Sequence, residues 1–101
     1  MASTIDPAAT AVVHPTRELA LASLTAGPAA VTPMDARLDA EQLAQDLVRS
    51  KAGGHSVSMG RIAGLPVIVV RVSRVELTVP ATGERGTSVV AHRGPLLSLA
   101  R

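Results

Sequence analysis

The sequence predicts a small α+β fold in which one main amphipathic helix, or two helices, packs on a three- to four-stranded antiparallel β-meander. Two observations lead to this fold class. Apolar residues recur at helical spacing between residues 35 and 52, and from residue 55 onward the apolar period changes to two. At 101 residues, the chain has the length of one domain with one core.

The composition limits both the core and the ligands. Phe, Tyr, Trp and Cys are absent, so the core must be aliphatic. Without aromatic rings, the stacking platforms of single-strand and RNA-recognition modules are excluded, and without Cys so are disulfides and thiolate metal sites. The abundance of Ala, Gly, Arg and Pro indicates a GC-rich, bacterial genome. No apolar run is long enough to span a membrane, and we expect a cytoplasmic protein without membrane contact.

Two regions are expected along the chain. Residues 1–34 are rich in Ala, Pro and Thr and are predicted to form a flexible, disordered arm. Within the arm, good helix formers between Pro15 and Gly27 favour a short helix. Residues 35–101 are predicted to form the α+β domain.

The main helix is expected to begin at Asp35 or Asp39 and to run to Ala52. Asp39 precedes Gln42 by three residues, which is the spacing of a capping box, and we place Asp39 with its acidic neighbours Glu41 and Asp46 on or near the solvated side. The predicted buried stripe consists of residues three or four apart, namely Ala36, Ala40, Leu43, Ala44, Leu47 and Val48.

The remainder of the chain is predicted to form strands. Ser56–Ile62 and Leu65–Val72 are expected to flank a turn at Ala63-Gly64, and Thr87–His92 is expected to be the returning strand. Leu65–Val72 is apolar on both faces. Such a strand belongs in the middle of a sheet, where neighbouring strands or a second subunit cover it.

Between the second and the last of these strands the sequence leaves alternatives open. Val75–Val79 alternates with polar residues, but its parity differs from that of the preceding strand, so Ser73-Arg74 is either a bulge or a tight turn. Pro80–Gly86 is interpreted as a polar hairpin loop. The leucines after Gly94-Pro95 are compatible with an edge strand, a docked turn or a contact with another chain.

The sequence contains no arrangement that indicates a reaction. His14, His55 and His92 are far apart and lack acidic neighbours at ligand spacing, so we interpret them as loop or strand-end residues. The carboxylates of the main helix are assigned to capping and solubility. We therefore predict a non-catalytic protein with no cofactor, no metal and no small-molecule substrate.

The first functional hypothesis is a protein-interaction or assembly module that associates with itself or with a protein partner. An aliphatic core of this size is marginal alone, and a partner surface would add stability. The predicted contact surface consists of the apolar residues of the strands and of the C-terminal tail, namely Leu65, Val67, Val69, Val75, Leu77, Val79, Leu96, Leu97 and Leu99.

The alternative is a DNA-associated regulator. Residues 1–50 contain three basic and six acidic residues, whereas residues 51–101 contain seven basic and two acidic residues. A basic β-hairpin can bind phosphates or enter a groove. The candidate nucleic-acid contacts are the arginines of the strand region, Arg61, Arg71, Arg74, Arg85 and Arg93. Alternation already suggests that they do not all share one face.

Overall fold

The structure, a computed structural model, describes residues 10–24, 28–49, 55–73 and 78–94. They form a small α+β fold with one main helix and a four-stranded sheet. The elements in chain order are β1 (Val13–His14), α1 (Arg17–Ala22), α2 (Pro33–Arg49), β2 (His55–Ile62), β3 (Leu65–Val72) and β4 (Val89–Arg93).

The sheet is mixed, so the prediction of a purely antiparallel meander is wrong. The strand order is β1-β4-β3-β2. β2 and β3 form an antiparallel hairpin, whereas β4 runs parallel to both β3 and β1. The hairpin turn is the predicted Ala63-Gly64, where both residues have positive φ, 53° and 82°, as a two-residue turn of this twist requires.

The polar loop Pro80–Gly86 explains why the meander prediction fails. This loop closes on itself, because Thr82 bridges Ser88 and the Gly83 amide donates to the Thr87 carbonyl at 2.8 Å. The loop is therefore a local turn. It does not connect β3 and β4 as the two antiparallel strands of a hairpin. The chain crosses from the end of β3 and enters β4 in the same direction as β3.

Both faces of β3 are covered by helices of the same chain. Ile68, Val70 and Val72 pack with Leu43 and Leu47 of α2 in one cluster. On the opposite face, Val67 and Val69 pack with Val90 and with Ala20 of α1. The predicted central position of this doubly apolar strand is confirmed, since β3 lies between β4 and β2.

The helices differ from the predictions mainly at their ends. The short helix expected after Pro15 is present as α1, with Thr16 as its N-cap. α2 begins at Pro33, and the Thr32 hydroxyl accepts from the Asp35 amide at 3.0 Å. The capping box assigned to Asp39 and Gln42 is therefore wrong, because Asp39 lies inside the helix.

Several predicted features lie outside the described residues or only partly within them. These are the first nine residues of the arm, the predicted end of the main helix after Arg49, Arg74 and the leucine tail. Of the predicted strand Val75–Val79, only its last two residues are described, and they are not in a strand. The alternatives of a bulge or a turn at Ser73-Arg74 stay open.

Candidate interaction surfaces

The residues predicted as an apolar contact surface are mostly interior where the structure describes them. Val67, Val69 and Val79 are buried, and Leu65 is half-buried. Val67 and Val69 are covered by α1 rather than by a second subunit. The assignment of a contact surface stays a prediction for all nine residues, of which Val75, Leu77, Leu96, Leu97 and Leu99 lie outside the described ranges.

The described arginines of the strand region are exposed but point in different directions. Arg71 shares the α1 face of the sheet with Val69, whereas Arg61 and Arg93 share the α2 face, because side chains alternate along a strand. Arg85 lies in the loop before β4 and is paired with Asp39. Arg74 lies outside the described residues. Binding of DNA through these arginines stays a prediction, and the described ones do not form one continuous patch.

Two of the three histidines come together. His14 of β1 and His92 of β4 are partners in the parallel ladder, while His55 is the partner of Val72 and lies on the opposite face. The described residues contain no group of three or more His, Cys, Asp and Glu side chains that could hold a metal ion.

The two edges of the sheet are very different. β1 pairs over two residues, whereas β2 spans eight residues and all of them are in register with β3. Natural edge strands are usually protected by shortness, proline, a bulge or lysine. β2 is long and has no proline, bulge or lysine, and its one arginine, Arg61, is the exposed charge on this strand. Among the described residues, β2 is the outermost strand on this side of the sheet.

The direction of the backbone groups of β2 follows from the neighbouring strands. The Ile68 amide donates to Ser88 at 2.9 Å, on the β4 side of β3, so the amides of Val67 and Val69 turn toward β2. Their partners Gly60 and Ser58 use their own backbone groups for that ladder. The amides and carbonyls of Val57, Met59 and Arg61 consequently point away from the sheet.

Apolar side chains accompany this edge. Met59 lies on the α2 face of β2 and is 41% exposed, and Val48 of α2, which packs on β2, is 67% exposed. An open, mostly apolar depression of about 520 Å³ is lined by Ala44, Gln45, Val48 and Arg49. Val48 was predicted to be in the buried stripe, but the helix turns it toward solvent.

Asp39 is the polar residue that sequence reasoning misplaced. Its carboxylate is buried, although the sequence interpretation placed it on or near the solvated side. Oδ2 accepts from the Thr87 hydroxyl at 2.6 Å and from the Thr87 amide at 3.2 Å, and Oδ1 accepts from the Arg85 amide at 3.0 Å and from its guanidinium at 3.3 Å. Asp39 thus ties α2 to the loop that precedes β4.

The environment of Asp39 keeps its carboxylate ionised. Burial raises the pKa, but hydrogen bonds from the Thr87 hydroxyl, from the Arg85 and Thr87 amides and from the Arg85 guanidinium together lower the pKa below its ordinary value. A carboxylate that is ionised and fully occupied by donors is poorly suited to general acid–base chemistry near neutral pH. We therefore interpret Asp39 as a structural anchor.

The sequence carried a signal for this anchor. Asp39 follows Ala36 by three residues and precedes Leu43 by four, so helical spacing places it on the buried face. The loop contributes a second constraint, because a Cβ at Gly83 would lie 2.6 Å from Cγ of Asp39. Glycine is therefore required where the loop meets the carboxylate.

No helix within the described ranges is long and apolar enough to cross a membrane.

The comparisons with known proteins identify no relative of this chain. No protein-family model matches the chain, and no curated protein and no solved structure is significantly similar to it.

Proposed function

We propose that the protein is a non-catalytic assembly module that self-associates through the β2 edge of its sheet. The observation that carries this proposal is the regular eight-residue edge strand, which runs in register with β3 along its whole length. An edge of this kind is a template for the addition of another strand.

The outward amides and carbonyls of Val57, Met59 and Arg61 provide the backbone part of such a contact. Pairing with a second copy would give each of these groups a partner other than water. The ladder between β2 and β3 would remain intact, because it uses the alternate residues.

The exposed apolar side chains beside the edge provide the second part. Covering Met59 and Val48 removes apolar area from water, which favours association by roughly 25 cal/mol per Å² before the entropic costs of binding. An isolated exposed valine or methionine is ordinary on a protein surface. Met59 belongs to the edge strand and Val48 to the helix that packs on it, and this position is what makes them relevant here.

Self-association predicts a concentration-dependent mass that Met59→Lys lowers. A lysine at this exposed position adds a charge to the edge, as natural edge strands do to prevent pairing. We expect the dissociation constant of the assembly to rise about tenfold or more. Light scattering after size-exclusion chromatography, with refractive-index detection because the chain lacks aromatic residues, measures the mass.

Leu19→Lys provides a matched control, because Leu19 is also about half exposed but belongs to α1 on the other face of the sheet. Its mass should follow that of the wild type at every concentration. Far-ultraviolet circular dichroism confirms that both variants fold. A wild-type protein that stays monomeric up to millimolar concentration would overturn the proposal.

A further inference from the structure

We infer that two copies joined at β2 also join their helices, so that α2 of one copy packs antiparallel against α2 of the other on one face of the combined sheet. The helix contact rests on the proposed self-association and specifies the second element of the interface and the orientation of the two copies. It requires no particular pairing of residues between the two β2 strands.

The position of α2 above the sheet brings the two helices together. Two-fold pairing of β2 with β2 places the symmetry axis about half a strand spacing outside β2. α2 packs on both β2 and β3, so its axis lies about half a strand spacing inside β2. The two α2 axes are therefore about 10 Å apart, which is the separation of packed helices.

Asp39 fixes how α2 is rotated about its axis. Its carboxylate binds Arg85 and Thr87 in the loop that precedes β4, so the flank that carries Asp39 faces β4, while the buried leucines face the sheet. At about 3.6 residues per turn, Ala44 and Val48 lie on the opposite flank. That flank therefore faces the β2 edge, which explains why Val48 is exposed although α2 packs on β2.

The flank of α2 that faces the β2 edge carries residues at alternating spacings of three and four, which is the spacing of a seam between two helices. These residues, which we call the α2 seam, are Met34, Arg37, Glu41, Ala44 and Val48. The apolar side chains at its two ends, Met34 and Val48, are 60% and 67% exposed. A second helix along the seam would remove both from water.

The α2 seam has no net charge, although α2 contains four acidic and two basic residues. Arg37 and Glu41 of the seam pair with each other, with 3.6 Å between Nε and Oε2. The other three carboxylates, those of Asp35, Asp39 and Asp46, share the flank that faces β4, as their helical spacing requires. A second copy of the seam can therefore approach without repulsion between net charges.

The same residues favour antiparallel over parallel pairing of the two β2 strands. Antiparallel pairing has its two-fold axis normal to the sheet, so both α2 helices lie on one face. Parallel pairing has its axis along the strands and puts the helices on opposite faces, where each seam would face Ser56, Ser58 and Gly60 of the second copy and Val48 would stay in water. Antiparallel pairing covers the seam and the Met59 side chains together.

Antiparallel helices bring opposite ends of the seam together. α2 has 17 residues and β2 has eight, so both are about 25 Å long. Five residues connect the end of α2 to the start of β2, and the two elements therefore run side by side over the same length. Val48 of one copy then lies beside Met34 of the other, and this contact occurs twice in each dimer.

Charges placed at the two ends of the seam test this contact. We expect Val48→Lys to raise the dissociation constant about tenfold or more, since it puts a cation against Met34 of the second copy. Met34→Glu alone should also weaken the dimer. In the Val48→Lys background, however, Met34→Glu should tighten it about threefold or more, because two ion pairs form between the copies. Positions 34 and 48 are roughly 21 Å apart along one helix and cannot pair within a chain.

Leu19→Glu in the Val48→Lys background is the matched control, because it restores the same net charge on α1, on the other face of the sheet. It should not tighten the dimer. Light scattering over a concentration series gives each dissociation constant, and circular dichroism confirms folding, which substitutions at exposed positions should preserve.

Two results would overturn the helix contact and leave self-association through β2 standing. One is a dimer that Met59→Lys weakens and Val48→Lys does not. The other is a Val48→Lys dimer that Met34→Glu tightens no more than Leu19→Glu does. A wild-type protein that is monomeric at all concentrations would overturn the helix contact and the proposed function together.

Discussion

Replacement of Asp39 with Ala is expected to lower the free energy of unfolding by about 2–4 kcal/mol. The substitution leaves the Thr87 amide and hydroxyl without their acceptor inside the protein, where an unpaired polar group is costly. It also removes the tie between α2 and the loop before β4. Urea unfolding followed by circular dichroism at 222 nm measures the effect.

Asp46→Ala is the matched control, because Asp46 lies on the same helix and pairs with Arg49 on the surface, where the two side chains are 50% and 72% exposed. Surface pairs contribute little, so we expect a change within about 0.5 kcal/mol. Equal effects of the two alanine variants would show that the buried network does not hold the helix to the loop.

The Asp39 anchor also predicts a pH dependence with a definite sign. Because the folded-state pKa lies below the ordinary value of 3.8, the unfolded chain binds more protons as the pH falls past that value. The stabilisation is fully present above about pH 4 and is lost as the pH drops through the folded-state pKa. The stability of wild-type protein should therefore fall more steeply below pH 4 than that of Asp39→Asn, which has no proton to gain at this position.

Replacement of Ile68 with Ala is expected to cost about 2–5 kcal/mol. Ile68 is fully buried between β3 and the leucines of α2, so the smaller side chain leaves a cavity in a closely packed region. Val12→Ala, at an exposed position just before β1, should change the stability by no more than about 0.5 kcal/mol.

The Ile68→Ala experiment also tests whether β3 is covered within one chain. If burial is intramolecular, the difference from wild type should be the same at two protein concentrations that differ about a hundredfold. A difference that appears only at the higher concentration would mean that a second subunit supplies the cover.

The local elements of this fold could be predicted from the sequence because their signals are local. Two-residue alternation located β2, a continuous apolar run located β3, and the turn predicted at Ala63-Gly64 lies between them. The doubly apolar run in β3 correctly indicated a central strand. Each of these inferences uses residues that are close together in the chain.

The features that were missed depend on contacts between distant parts of the chain. Nothing near Thr87–His92 indicates that β4 runs parallel to β3, because the direction is set by the crossover between them. Val67 and Val69 are covered by α1, which lies in the segment that was predicted to be a flexible arm. The β2 edge became a candidate only when the sheet order placed β2 at the outside and β3 inside.

Asp39 illustrates the same limit for polar residues. The spacing of the α2 stripe was compatible with a buried carboxylate, but its donors are 46 and 48 residues away in sequence. Without them, a buried acid is unfavourable and a surface role is the better prediction. Once Arg85, Thr87 and Gly83 are brought to the helix, burial becomes favourable.

The most direct test of self-association through β2 is the exchange of individual backbone amides with deuterium at high and low protein concentration. The account predicts that the amides of Val57, Met59 and Arg61 are protected at high concentration and lose protection on dilution, whereas those of Ser58 and Gly60 stay protected at both. Rapid exchange of the first three amides in a sample whose mass is that of a dimer would contradict it.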